Sequence, residues 1–294
     1  MANMGWMLRR LSLFALLIWV LGVDAEMIDN SCRNMKQYKE NGELETIGNV
    51  YPMVDKALHE AFQMTGYANE IMLDIEKHKA TDEVASNVIG VFFGLQGMQS
   101  RPTHSGPWDY LYIVRKPKEE HKKDIVGFVY RDPIADKWWD NNEHACHGAG
   151  FRAQVEWQEY VMVCKNAFEN PDKIEIGSKR DINYASPRYV NSAGNTLDFW
   201  ATFLSYTLLH EFLHVLFEWE DWDLNHAAHH PVTDSLITKA YGYFASAELV
   251  VQRPHKVPTN VDNTGMFILA IWMRRNDWTT GFAREPNPCG PNDD

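Results

Sequence analysis

His210 and His214 stand four residues apart in the stretch "LLHEFLHVLFEWE", Leu208 to Glu220, with Glu211 directly after the first histidine. Residues four apart on a helix share a face, so two neutral imidazoles at these positions can converge on one ion, and imidazole is a good zinc ligand. Glu211 lies one position round from His210, where its carboxylate reaches a water at the metal rather than the metal itself. That is the place a general base occupies in hydrolytic zinc chemistry. The competing reading is a core helix whose histidines are satisfied by hydrogen bonds, yet two rings and a carboxylate within so apolar a helix point to a shared purpose. Catalytic zinc takes a third protein ligand and leaves one position for water.

The elements that must position these groups follow from the hydrophobic period. "LDFWATFLSYTLLHEFLHVLF", Leu197 to Phe217, predicts one long apolar helix, with Asn195 or Thr196 as its cap and Asp198 near the positive end of its dipole. From Tyr51 to Lys77 the positions Val54, Ala57, Leu58, Ala61, Phe62, Ala68, Ile71, Met72 and Ile75 recur at helical spacing, with Gly66 as a candidate break. In the middle third the period changes. "YLYIV" (Tyr110–Val114) and "IVGFVY" (Ile125–Tyr130) flank a charged tip and read as a hairpin, and "QVEWQEYVMVC" (Gln154–Cys164) reads as a partly buried strand. Further helices are expected at Tyr241–Gln252 and Thr264–Arg275, the last capped by Asp262 or Asn263. The fold class expected is α+β, helix-rich with a small mixed sheet.

The chain opens with Arg9 and Arg10 ahead of an apolar run from Leu11 to Gly22 and small residues at Val23 and Ala25. This is the pattern of a secretory signal peptide cleaved after Ala25, and the run is too short to span a bilayer. Residues 1–25 are therefore assigned to the leader and 26–294 to a single domain, with N-terminal helices and hairpin up to 140 and the active-site part from 141 onward. A net charge of −12 repels phosphate backbones and anionic membranes, which excludes nucleic acid and, once the leader is gone, a membrane as partners. The expectation is a secreted, extracellular monomer acting on protein or peptide. Cys32, Cys146, Cys164 and Cys289 in an oxidising compartment point to two disulfides. The pairings favoured are Cys146 with Cys164, which flank an expected strand pair, and Cys32 with Cys289, which would tie the ends together.

A metzincin arrangement is excluded, because Phe217 and Glu220 stand where that pattern needs a glycine and a third histidine. With no break in the apolar period, the helix is expected to continue and turn Glu220 off the metal face.

"HEFLH" (His210–His214) followed by "VTDSLITKAYGY" (Val232–Tyr243), with "VMVCKNAF" (Val161–Phe168) ahead and "TNVDNTGMF" (Thr259–Phe267) behind, resembles the aspzincins. These are the deuterolysin-like and lysine-specific secreted fungal metalloendopeptidases. The likeness covers roughly residues 140 to 275. It implies a zincin-like domain, one zinc ion, peptide-bond hydrolysis, an aspartate as third ligand, and a tyrosine, here Tyr241, donating a hydrogen bond to the oxyanion. The family's ligand register, three residues before that tyrosine, falls on Thr238, a poor zinc ligand. Asp234, the nearest aspartate, is therefore the expected third ligand. Asp223, His226, His229, His230 and Glu248 are rivals, each more simply read as loop polarity or an exposed helix face. "NHAAHHP" is a weaker candidate for a second metal, and His144 and His147 read as structural. Thr238 also keeps open a second function class, a catalytically impaired effector or binding protein on the same scaffold, although the intact Glu211 argues against it. A helical domain with no metal is the third.

Overall fold

The computed structural model describes residues 28, 30–38, 43–78, 83–94, 153–156, 160–177, 196–217 and 219–284. The leader, the Tyr110–Tyr130 hairpin, Asn195, His144, Cys146, His147 and Cys289 lie outside the described residues. Cys164 is disulfide-bonded and Cys32 is buried. No helix among the described residues is long and apolar enough to cross a membrane.

The fold is α+β, and the described residues form six helices and three small antiparallel sheets of two strands each. In chain order, β1 (Met35–Tyr38) and β2 (Leu44–Gly48) pair first, followed by α1 (Tyr51–His78) and α2 (Glu83–Phe93). Next come β3 (Ala153–Glu156) and β4 (Tyr160–Val163), and then α3 (Leu197–Trp200) and α4 (Leu204–Phe217). The chain continues through β5 (Asp223–His229) and β6 (Leu236–Lys239) to α5 (Tyr243–Gln252) and α6 (Val261–Trp272).

Helix α4 is surrounded. Leu204, Leu208 and Phe212, at i, i+4 and i+8, pack with Val54, Ala57 and Leu58 of α1 and Val161 and Val163 of β4. Leu209 and Leu213 turn instead to a second cluster that holds Ala61, Met64 and Ala68 of α1, Phe92 of α2 and the whole apolar run of α6. A helix apolar on nearly every side belongs in a core, and burying each such side chain contributes about 2 kcal/mol. The stripe left over, Tyr206, His210 and His214, is polar and repeats every four residues. The N-terminal helix α1 thus shares its core with the helix that carries the histidines.

Several expectations need correction. Gly66 does not break α1, which runs unbroken because Met64 and Ala68 are buried on either side of it. The stretch from Gln154 to Cys164 is not one strand but folds back on itself, with Glu156 opposite Tyr160. The Leu197–Phe217 segment is interrupted at residues 201–203: Thr196 caps α3 through Phe199 N (3.1 Å), the Thr202 hydroxyl donates to the Phe199 carbonyl (2.6 Å), and Trp200 stacks on Phe203. Helix α4 does not continue past Phe217. Trp219 is buried, and the chain turns so that Glu220 forms a parallel bridge with Asn260. Asp262 and Asn263 lie within the first turn of α6 and cap nothing; the residue ahead of that helix is Asn260.

Candidate metal centre

Three elements meet at His210. Helix α4 brings the two histidines, the turn after it brings Asp221, and the start of α6 brings Asp262 beneath them. Nε2 of His210 lies 3.1 Å from Nε2 of His214, and Oδ2 of Asp221 lies 3.6 and 3.4 Å from these two nitrogens. His210, His214 and Asp221 form the one group of metal-binding side chains of this kind among the described residues.

The hydrogen bonds on the far side of each ring fix what the near side offers. Nδ1 of His210 donates to Oδ1 of Asp262 (2.7 Å) and Nδ1 of His214 donates to the Trp219 carbonyl (2.6 Å). A carboxylate and a carbonyl only accept, so both Nδ1 atoms carry hydrogen, and in neutral imidazoles both Nε2 atoms then present lone pairs. Two lone pairs and a carboxylate oxygen then face one point, where either shared protons or a metal cation satisfies all three. Ligands 2.0–2.1 Å from a tetrahedral zinc ion lie about 3.3 Å from each other, and the three observed separations bracket that value. Oδ1 of Asp221 is buried without a hydrogen-bond partner, a further acceptor that a cation would satisfy. Two imidazoles and a carboxylate are also the donor types of catalytic zinc. The residues fit the ion.

Asp262 is fully buried and every partner it has bears on this centre. Its Oδ1 accepts from the Tyr206 hydroxyl (2.7 Å) as well as from His210, and its Oδ2 accepts from the Gly242 amide. Orienting a ligand imidazole through a carboxylate behind it raises its basicity and fixes its tautomer. Gly242 has φ 87°, and a Cβ there would come within 2.6 Å of Asp198 Oδ1. Only glycine lets the chain pass between the carboxylates of Asp262 and Asp198, the second of which accepts from the Tyr243 amide. That passage places Tyr241, whose ring meets the His210 ring edge-on at 5.1 Å between centroids.

The electrostatics follow from this crowding. Burial opposes charge on His210, but Asp262 and Asp221 outweigh it and raise its pKa well above the ordinary value. His214 is raised too: burial opposes its charge, and Asp221 and the Trp219 carbonyl overcome burial and the neighbouring His210. Asp221 is likewise penalised by burial, and its hydrogen bonds and charge interactions with the two histidines hold its carboxyl well below the usual range. Glu211 is pushed up to about 7, chiefly by burial, with His210 and His214 pulling it down and Asp221 and Asp262 adding to the rise. Tyr241 is 60% exposed, yet desolvation at the site and the carboxylates of Asp262, Glu211 and Asp221 push it up to about 12 against the opposing pull of His210. It therefore keeps its proton and stays a donor at any ordinary pH.

No protein-family model, no curated protein and no solved structure matches this chain.

The structure brings His210, Glu211, His214 and Tyr241 together. It does not bring Asp234 to them. The Val232–Ser235 segment forms the turn between β5 and β6, where Asp234 takes φ 54°, a left-handed conformation that aspartate tolerates better than most residues. Its side chain is 92% exposed and pairs with Nδ1 of His229 at 3.2 Å. Thr238 is exposed on β6. Of the rival ligands, Asp223, His226 and His229 lie exposed along β5, His230 pairs with Asp198 (3.2 Å), and Glu248 accepts from Gln252 (2.8 Å). Asp221, which sequence reasoning passed over, stands with His210 and His214 in the group that could hold an ion. A faint signal for it exists in "EWEDWD": it stands seven residues after His214, between aromatic residues that pin the turn.

Proposed function

We propose that this chain is a secreted zinc-dependent metalloendopeptidase on a zincin-like α+β scaffold of aspzincin type. The observation that carries the reading is the convergence of His210 Nε2, His214 Nε2 and Asp221 Oδ2 at separations of 3.1, 3.6 and 3.4 Å, with Glu211 beside them. An ion held there would supply Lewis acidity to a water molecule and to the scissile carbonyl. The chain's own groups do the rest. Glu211, beside the ion, takes a proton from the attacking water and passes it to the leaving amine. Tyr241 donates a hydrogen bond to the oxyanion that forms on the carbonyl. Asp262 and the Trp219 carbonyl keep the two rings in the tautomer that ligation requires.

On this reading the carboxylate comes from Asp221, further ahead of the Tyr-Gly pair than Asp234 or Thr238, where the aspzincin resemblance would put it. Asp221, facing both histidines, favours a complete ligand set over the impaired scaffold that Thr238 suggests. The leader supports an extracellular setting and the acidic surface favours protein or peptide over nucleic acid as substrate. Metal analysis of the purified protein, combined with casein digestion with and without a chelator, tests the reading. One zinc per chain and chelator-sensitive digestion are expected; digestion that a chelator leaves untouched contradicts it.

A further inference from the structure

We infer that Asn260 is a positioning residue for the metal centre, holding the turn that carries Asp221 so that its carboxylate stands against the two histidines before any ion arrives. The inference rests on the metal reading above and goes beyond it by naming what sets the third ligand in place.

Asp221 lies between two residues whose backbones are tied to the segment around Asn260. On one side the Glu220 amide donates to the Thr259 carbonyl (3.2 Å) and the Glu220 carbonyl accepts from the Val261 amide (3.3 Å). On the other side the Trp222 amide donates to Oδ1 of Asn260 (3.0 Å), while the Trp222 carbonyl accepts from the Ala240 amide (2.7 Å). Asn260 is fully buried, and besides accepting from Trp222 its side chain uses both its donors here: Nδ2 donates to the Ala240 carbonyl (3.1 Å) and to Oδ1 of Asn263 (2.8 Å). Asn263 in turn donates to the Phe92 carbonyl of α2 (2.7 Å) and the Ser246 carbonyl of α5 (3.1 Å). The turn is thus anchored through Asn260 to a buried polar network that spans two other helices. Aspartate could not replace this asparagine, since the Ala240 carbonyl and Asn263 Oδ1 both need donors.

Asn260 and Asp262 divide the work on one turn of chain. Asp262 orients His210 from behind, and Asn260 fixes the backbone beside Asp221. A loop ligand that is already in place spares the ordering cost that metal binding would otherwise bear, so loss of the clamp should appear as lost zinc affinity.

The test is a zinc titration by dye competition on the native chain, Asn260→Ala, Asp221→Ala and the double variant, with amide hydrogen exchange at Trp222 in the metal-free native chain. Asn260→Ala should weaken zinc binding about 10- to 100-fold, yet by no more than about twofold when Asp221 is already alanine, because the two changes then act through one ligand. The Trp222 amide should be protected in the native chain without metal. Trp222→Phe, which keeps that amide but drops the indole hydrogen bond to Thr259, should bind zinc nearly as the native chain does. An equal loss from Asn260→Ala in both backgrounds, or none, overturns the inference while leaving the metal reading intact. An unprotected Trp222 amide overturns it even where Asn260→Ala fails to fold. A native chain that binds no zinc overturns both.

Discussion

Replacing Glu211 with glutamine should make the metal-free protein more stable above neutral pH. An ordinary glutamate titrates near 4.5 and Glu211 at about 7, so between these values the folded chain keeps a proton that the unfolded chain has released. The sign is that of a raised carboxylate. The burden on stability is absent below the unfolded value, grows as pH rises, and is complete above the folded value. A tenfold change in proton affinity corresponds to ~1.4 kcal/mol, which makes the charged carboxylate a burden of at most about 3 kcal/mol, and less because Glu211 keeps some contact with solvent. Glutamine fills the same volume without the charge. At about 2–4 °C per kcal/mol for a domain of this size, Glu211→Gln should raise the melting temperature by several degrees at pH 8 in the presence of a chelator, and by nearly nothing at pH 4.5. Thermal unfolding of both proteins at these two pH values measures it. A glutamine variant no more stable than the native chain at pH 8, or equally favoured at both pH values, would refute the electrostatic account of the site.

The same Glu211→Gln protein should still bind zinc but lose about 10²- to 10⁴-fold in turnover, since the ligands remain and the base is gone; casein digestion by the zinc-loaded protein reads this. Tyr241→Phe should leave zinc affinity unchanged and lower kcat about 10²-fold or more, the usual effect of removing one oxyanion donor. Asp262→Ala should weaken zinc binding about 10- to 100-fold through the unsupported His210 ring. It should also lower thermal stability of the metal-free chain by about 3 kcal/mol, because the Tyr206 hydroxyl and the Gly242 amide lose a charged acceptor.

What could be read from the sequence is what rests on local period. Val54 to Ala68 in α1, the buried run of α6 and the i, i+4 histidines of α4 all announce themselves, because each is set by neighbours within a turn or two of helix. Thr196 as a cap was legible for the same reason. The features that escaped depend on partners far along the chain. Nothing local ends α4 at Phe217; the end is imposed by the burial of Trp219 and the bridge from Glu220 to Asn260. Asp221 comes to face the two histidines only because the chain turns there. Asp262 looks like a helix cap in sequence, and only the fold sets it behind His210, 52 residues away. Strand β5, "DLNHAAH", carries almost no apolar alternation, since five of its seven residues are exposed, so neither the hairpin nor the place of Asp234 at its exposed tip is legible in the sequence.

Zinc stoichiometry and affinity of the native chain beside Asp221→Ala and Asp234→Ala test the centre most directly. The arrangement of His210, His214 and Asp221 predicts one tightly bound zinc in the native chain, kept in Asp234→Ala and largely lost in Asp221→Ala. Zinc held by Asp221→Ala as firmly as by the native chain, or released by Asp234→Ala, would contradict it.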